Sequence, residues 1–292
     1  MSIHALAAAG ALAVILFSPA GAGAGQIFVS NERDNTVTVL NSVSLAVVKT
    51  IPVGVRPRGI VLTPDHRDVL VCNGDDGTIS VIHAEKLEVV GALDAGSDPE
   101  MLALSPDGSV SYVSNEDDSM VTMLRRADGE TIARVPVGIE PEGLAVSADG
   151  KTVVDVSEST NMAHFIDVLS KKMVANVLVD TRPRIAEYSP DGAQVWVTSE
   201  VGGAVAIIDA ATRAVTGKIE FELPGVRKEL ISPVGLKFSL DGKLAFVALG
   251  APTGSLSSTS RAARWSNICS SGTASGSSPS TRTARRSTRR TG

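Results

Sequence analysis

Histidine, cysteine and serine are the side chains whose chemistry depends most on spacing, and here their spacing offers none. The four histidines are His4, His66, His83 and His164. Zinc and related metals need imidazoles at short fixed intervals or converging from one element. These four are scattered, so each reads as a surface or core histidine. No G-x-S-x-G elbow frames a serine nucleophile, and no glycine-rich phosphate loop opens a helix. The two cysteines, Cys72 and Cys269, form no disulfide framework, zinc motif or haem-attachment motif. Cys72 closes the strand-like run Val69-Leu70-Val71-Cys72 and reads as a small buried hydrophobe. No catalytic, cofactor-binding or metal-ligating residue is therefore expected. Without a cofactor, the chain reads as a non-enzyme.

Charge offers more. Glu32-Arg33-Asp34-Asn35, Asp75-Asp76 and Glu116-Asp117-Asp118 are acidic turns. Calcium wants six to eight oxygens in one pocket. Each turn alone supplies too few, and one repeat unit is expected to hold them apart. A second charged pattern flanks four prolines: Arg56 and Arg58, Asp98 and Glu100, Glu140 and Glu142, Arg182 and Arg184. These eight are the candidate surface for a charged protein partner or a small anionic ligand. The competing reading is loop-to-loop ion pairing, each pair contributing little at a surface.

The elements that must carry these residues repeat. VGVRPRGIVLTPDH starts at Val53, AGSDPEMLALSPDG at Ala95, VGIEPEGLAVSADG at Val137 and VDTRPRIAEYSPDG at Val179. Pro57, Pro99, Pro141 and Pro183 are each 42 residues apart, as are Asp65, Asp107, Asp149 and Asp191. A fifth copy, with Pro233 and Asp241, follows at 50, so an insert lies around Glu222 to Lys228. A second marker, Asn31, Asn73 and Asn115, keeps the same 42-residue step. Within one unit, Gly59 to Leu62, Asp68 to Cys72, Thr78 to His83 and Glu88 to Leu93 read as four short strands. Their turn residues favour the conformations that tight turns need. Four antiparallel strands per forty-odd residues is the pattern of a propeller blade. Such a blade cannot bury both of its faces alone, so blades must stack around an axis. The fold class expected is all-β: a β-propeller of four-stranded antiparallel blades. The proline loops then lie at one mouth of its central channel.

The units resemble the YVTN family of β-propeller repeats, through Tyr112-Val113-Ser114-Asn115, Pro141-Glu142-Gly143 and Ser105-Pro106-Asp107-Gly108. The resemblance covers Gly25 to about Gly250 and implies a ring of seven blades, of which five to six are encoded here. The insert followed by SPVGLKFSLDGKLAFVALG is similar to a narrower group of exported propellers associated with PQQ-dependent (quinoprotein) alcohol catabolism. That similarity implies a non-catalytic protein that binds a ligand or a partner such as a periplasmic dehydrogenase or cytochrome. The alternative it leaves is an accessory or catalytic subunit of a periplasmic oxidoreductase.

Residues 1–24 read as a signal peptide, with an apolar run from Ala5 to Phe17 and small residues from Ala20 to Ala24 for cleavage. A periplasmic or secreted location follows, with no membrane span after cleavage. Residues 25–250 hold the repeats, with 20 basic and 32 acidic groups. A body that acidic argues against nucleic acid as a partner.

Residues 251–292 carry seven arginines, no acid, and no trace of the repeat. They read either as a disordered basic tail or as a stretch translated in the wrong frame. Joining the third base of each codon to the first two of the next lets Gly254 to Thr259 encode V-A-V-V-D. Arg264 to Gly272 then permits V-V-K-Y-L-L-V-G, and Ala274 to Gly292 permits V-W-Q-L-A-F-N-P-D-G-K-T-L-Y-T-T-N-G. Together these amount to the next repeat unit, down to its turn and marker. The gene's nucleotide sequence is expected to carry that string without a stop codon; a stop, or a different string, refutes the reading.

Overall fold

The computed structural model describes residues 14–17, 25–223, 225–239, 241–250 and 261–266. They form six antiparallel sheets in chain order. Sheet one comprises β1 (Val14–Phe17), β2 (Gln26–Asn31), β3 (Thr36–Asn41) and β4 (Val47–Pro52). Sheet two comprises β5 (Pro57–Leu62), β6 (Asp68–Asn73), β7 (Thr78–His83) and β8 (Glu88–Asp94). Sheet three comprises β9 (Pro99–Leu104), β10 (Val110–Asn115), β11 (Met120–Arg125) and β12 (Thr131–Pro136). Sheet four comprises β13 (Pro141–Val146), β14 (Thr152–Ser157), β15 (Met162–Asp167) and β16 (Lys172–Leu178). Sheet five comprises β17 (Pro183–Tyr188), β18 (Gln194–Ser199), β19 (Ala204–Asp209) and β20 (Val215–Glu220). A short 3-10 turn, Lys228–Leu230, follows within the insert. Sheet six comprises β21 (Ser232–Phe238), β22 (Leu244–Gly250) and β23 (Arg261–Ser266).

Each sheet is a meander whose strands pair with their chain neighbours, as the repeat predicts. β1 lies within the segment read as a leader and pairs with β2, Val14 opposite Val29 and Phe17 opposite Gln26. β23 begins at Arg261, seven residues later than the repeat would start it, and pairs with β22. The remainder of the segments read as leader and misframed tail lies outside the described residues. Among the described residues no helix is long and apolar enough to cross a membrane.

The core is not one body but a series of seams. Five apolar clusters lie one between each successive pair of sheets, for example Phe28, Val39 and Val71 between sheets one and two. Val154, Phe165, Val197 and Ile208 do the same between sheets four and five. Stacking proceeds in series from sheet one to sheet six, and among the described strands no comparable packing joins six back to one. The outermost strands bury less: Val47, Val48, Val90 and Val174 stand exposed.

Two recurring polar devices set the register. In the first, Ser105 Oγ donates to Asp107 Oδ1 at 2.5 Å and accepts from Val110 N at 3.0 Å. The same turn recurs at Thr63, Ser147, Ser189 and Ser239. These bonds pull the exposed Asp107 and Asp149 carboxyls down to about 2. In the second, the marker asparagine is buried and bonded either to its own hairpin or to the loop that enters its sheet. Asn73 Nδ2 donates to Thr78 and Ser80, and Asn115 Nδ2 donates to the carbonyls of Ala95 and Ser97.

The innermost strands approach closely around the channel, and glycine permits it. A Cβ on Gly59 would lie 2.8 Å from the Glu100 carbonyl oxygen, and one on Gly143 would lie 2.3 Å from that of Arg184. The intervening strands carry the large Met101 and Ile185 at the same position, so small and large residues alternate around the ring. Because the obstacle is backbone, no side-chain rotation relieves it. Gly143→Val is expected to cost about 3 kcal/mol or more, at the upper end of overpacking. Urea unfolding of the variant beside the parent chain checks this.

Candidate channel-mouth site

The mouth is built by three local features that recur across sheets two to five. The residue before each proline has positive φ although none is glycine: Arg56 57°, Asp98 42°, Glu140 58° and Arg182 59°. Strain of this kind persists only where neighbours over-determine it. Here Arg56 N donates to Asn35 Oδ1 at 3.0 Å and Arg182 N to Asn161 Oδ1 at 2.9 Å. Next, the inner strand is bulged between proline and strand body in sheets two, four and five, and a register shift marks the same end in sheet three. Bulges re-aim side chains, and these turn Arg58, Glu100, Glu142 and Arg184 inward. Finally, the carbonyl of the pre-proline residue accepts a bond from the amide just after the second strand. Glu116 N bonds to Asp98 O at 2.9 Å, Glu158 N to Glu140 O at 2.8 Å and Glu200 N to Arg182 O at 2.8 Å.

This third feature adds carboxylates that the proline pattern alone does not name. Glu32, Glu116, Glu158 and Glu200 occupy one repeat column, with Gly74 in the remaining place. The signal was present in the sequence as a glutamate following the marker, but it sat among turn residues and looked solvated.

Side chains from different sheets interlock. Arg58 pairs with Glu32 at 3.1 Å and with Glu100, and reaches Glu142 at 3.9 Å. Arg184 pairs with Glu142 at 2.8 Å, with Glu158, and with Glu200 at 3.9 Å. Glu142 of sheet four thus meets arginines from sheets two and five, a contact made across the channel. Arg182 pairs with Glu158 at 2.7 Å and Glu200 at 3.4 Å. Arg56 pairs with Asp75 at 2.9 Å, Glu100 at 3.2 Å, and Asp98. Of the eight residues expected at the mouth, seven join this network. Glu140 instead accepts from Ser159 Oγ. In the insert, Lys228 pairs with Glu220 rather than with the network.

The balance of charge decides what the mouth can do. Four guanidiniums meet Glu32, Asp75, Asp98, Glu100, Glu142, Glu158 and Glu200, and Glu116 stands against Glu100. Each arginine already has two or more carboxylates, so none is left over for an anion. Glu100 is only 2% exposed and Glu142 6%. Burial, with Glu100 bonded and charged beside it, pushes Glu116 up to about 7. Burial also raises Glu142 to about 7, Glu100 adding to the rise while Arg184 and Arg58 oppose it. For Arg58, burial works against the charge, but Glu100, Glu142 and Glu32 outweigh it and hold the guanidinium above its ordinary value.

Asp75, Asp76 and Asp117 border one cleft, but of the three acidic turns only Glu116 enters a close carboxylate group, and its partners come from a proline loop. The bulges and positive-φ corners bring carboxylate oxygens of Asp98, Glu100 and Glu116 within 4.8 Å of one another. Between sheets two and three a cleft of about 410 Å³ gathers Asp75, Asp76, Asp94, Asp98 and Asp117 over a glycine floor. Arg56 lies against Asp75, Asp98 and Glu100, so a metal ion would have to displace a guanidinium to reach them. His66, His83 and His164 lie on separate turns and strands, and Cys72 is buried.

Residues 3–135 match the family model of the YNCE-like beta-propeller. No curated protein matches the sequence significantly. Among solved structures the chain is similar to hydrazine synthase of Kuenenia stuttgartiensis, with a TM-score of 0.67 and 23% identity. That alignment covers 77% of this chain and 73% of the other. An identity this low speaks for the fold alone. With the repeat columns and six meander sheets, these matches show the β-propeller fold of four-stranded antiparallel blades.

Among the described residues no arginine reaches Glu116 within ion-pair distance, and its place against Glu100 gives the mouth its sharpest test. Its folded value lies above the ordinary 4.5, so its contribution is complete below that pH and is lost as pH rises through about 7. Glu116→Gln is expected to raise the thermal midpoint at pH 8 by about 2–4 °C and to leave it unchanged at pH 5. Calorimetry at the two pH values reads the difference.

Proposed function

We propose that the protein is an exported, non-catalytic binding module of the periplasm that serves PQQ-dependent alcohol oxidation. In this reading it docks the basic face of a partner dehydrogenase or cytochrome on its acidic channel mouth. The association with PQQ-dependent catabolism rests on the resemblance carried by the insert and the segment from Ser232 to Gly250. The docking reading rests on one observation: carboxylates outnumber guanidiniums two to one at the mouth, and every guanidinium is already paired. A small anion would find no free cation there, which argues against the anionic ligand that the arginines suggest when read alone. A protein carrying lysines or arginines would find the exposed Asp75, Asp76 and Asp117 at the rim. Rim charges of this kind set encounter rate and salt dependence more than final affinity.

The test uses purified PQQ-dependent alcohol dehydrogenase and its cytochrome, immobilised, with the full-length chain as analyte. Binding is expected to weaken at least about tenfold between about 50 mM and about 300 mM salt. The triple substitution D75N/D76N/D117N is expected to weaken it comparably at low salt. Salt-insensitive binding, or equal binding by the triple variant, would refute docking at this mouth.

A further inference from the structure

One column of the repeat is broken in a single sheet. The second strand of sheets one, two, three, five and six carries Val29, Val71, Val113, Val197 and Val247 at the same place; sheet four carries Asp155. Asp155 is 0% exposed. Its strand neighbour on the same face, Val153, belongs to the apolar seam between sheets three and four, with Tyr112, Met123, Leu144 and Ile166. Its bonds come from Ser114 Oγ at 2.8 Å, which belongs to sheet three, and from Ser157 Oγ at 3.5 Å. The Ser114 bond crosses the seam.

We propose that Asp155 is a neutral carboxylic acid that latches sheets three and four together, and that loss of its proton loosens this seam. A carboxylate without a cation in an apolar seam costs far more than a hydroxyl bond returns. The group therefore keeps its proton while the seam is shut and loses it when water enters. The surroundings offer no neutralising partner. On β15, His164 sits directly opposite. Its Nε2 accepts from Gly138 N at 3.0 Å and its Nδ1 lies 2.8 Å from Asn176 Oδ1. That ring is thus uncharged, and burial keeps it so by lowering its affinity for a proton. Glu142 on β13 and Arg184 on β17 are engaged with each other at the mouth. Glu187 on β17 pairs with Lys237. Asp167 lies at the far end of β15, bonded to Ser170. β10 presents Ser114 and Tyr112. Burial pushes the Asp155 carboxyl well above its ordinary 3.8, with the Ser114 and Ser157 bonds pulling the other way.

A raised folded value means that the native chain holds more protons than the unfolded one above pH 3.8, so stability falls as pH rises. Asp155→Val restores the residue of the other five sheets, and Asp155→Asn removes the charge while keeping a partner for Ser114. The experiment compares thermal midpoints of the full chain and both variants from pH 6 to pH 10. It also follows amide exchange in β10 and β14, corrected for the intrinsic dependence on pH. The gap between the valine variant and the parent is expected to widen by about 2–4 °C per pH unit for as long as the folded carboxyl keeps its proton. Exchange in β10 and β14 is expected to quicken with pH in the parent and to stay level in both variants. Parallel pH profiles overturn the proposal. So does an asparagine variant whose midpoint falls with pH as the parent's does, since its amide keeps a partner for Ser114 and has no proton to lose.

Discussion

Every sheet in this protein has two apolar faces and no second layer of its own to cover them. Val69 and Val71 on one side of β6, and Leu70 and Cys72 on the other, are all buried, yet they belong to different seams. A strand buried on both faces must find a neighbour on each side, and only another copy of the same sheet has the matching shape. The repeat and the stacking are therefore one constraint. It explains why the core divides into clusters of about ten residues rather than forming one body. It also explains why polar groups on a strand sit at its ends or bond across a seam, as Ser30 Oγ does to the Arg58 carbonyl and Thr198 Oγ1 to that of Val234.

The charged mouth is a consequence of that stacking. Inner strands that converge on a channel must place their first residues close together, and a Cβ there would already meet neighbouring backbone. Side chains at the corner have nowhere to go except into the channel or up toward solvent. Arginine and glutamate can do both, because a long apolar stem spans the crowded zone and the charged head finds a partner beyond it. Partners from non-adjacent sheets then become reachable, as with Arg58 and Glu142. Such pairs add little net stability once desolvation is counted. Breaking one leaves a buried charge unpaired, which is costly, so the network favours one relative placement of the sheets. An excess of carboxylate is tolerated because Glu116 and Glu142 titrate near neutrality and can share protons.

Much of the fold was legible in the sequence because its signals are periodic. Prolines, aspartate turns and asparagine markers at a constant step located the strands of sheets two to five to within a residue or two. The mouth was legible only as a list. Arg56, Arg58, Asp98 and Glu100 stand out beside their prolines, but their mutual pairing depends on positive-φ corners and bulges that no residue type announces. Lysine-free arginine corners and glutamates in the column of Glu32 and Glu200 hinted at pairing. What the spacing did not announce is that Glu116 of one acidic turn would meet Asp98 and Glu100 of a proline loop.

Sheet four shows what periodic reading overlooks. Ser157 stands there in the column of the marker asparagines Asn31, Asn73 and Asn115. In space the departures compensate one another. His164 stands where sheets one to three have Thr38, Ser80 and Thr122, and it takes over the bond to the incoming loop that the smaller hydroxyl of Ser80 makes to Gly54. Asn176 then fixes the tautomer of that histidine. Asp155 and Ser114 exchange an apolar contact for a hydrogen bond across the same seam. A sequence under no constraint but stacking would keep valine and threonine in these columns, as its neighbours do. Local rules broken together, in one sheet and around one seam, are more informative than any single conserved-looking motif, because stacking alone gives no reason for them.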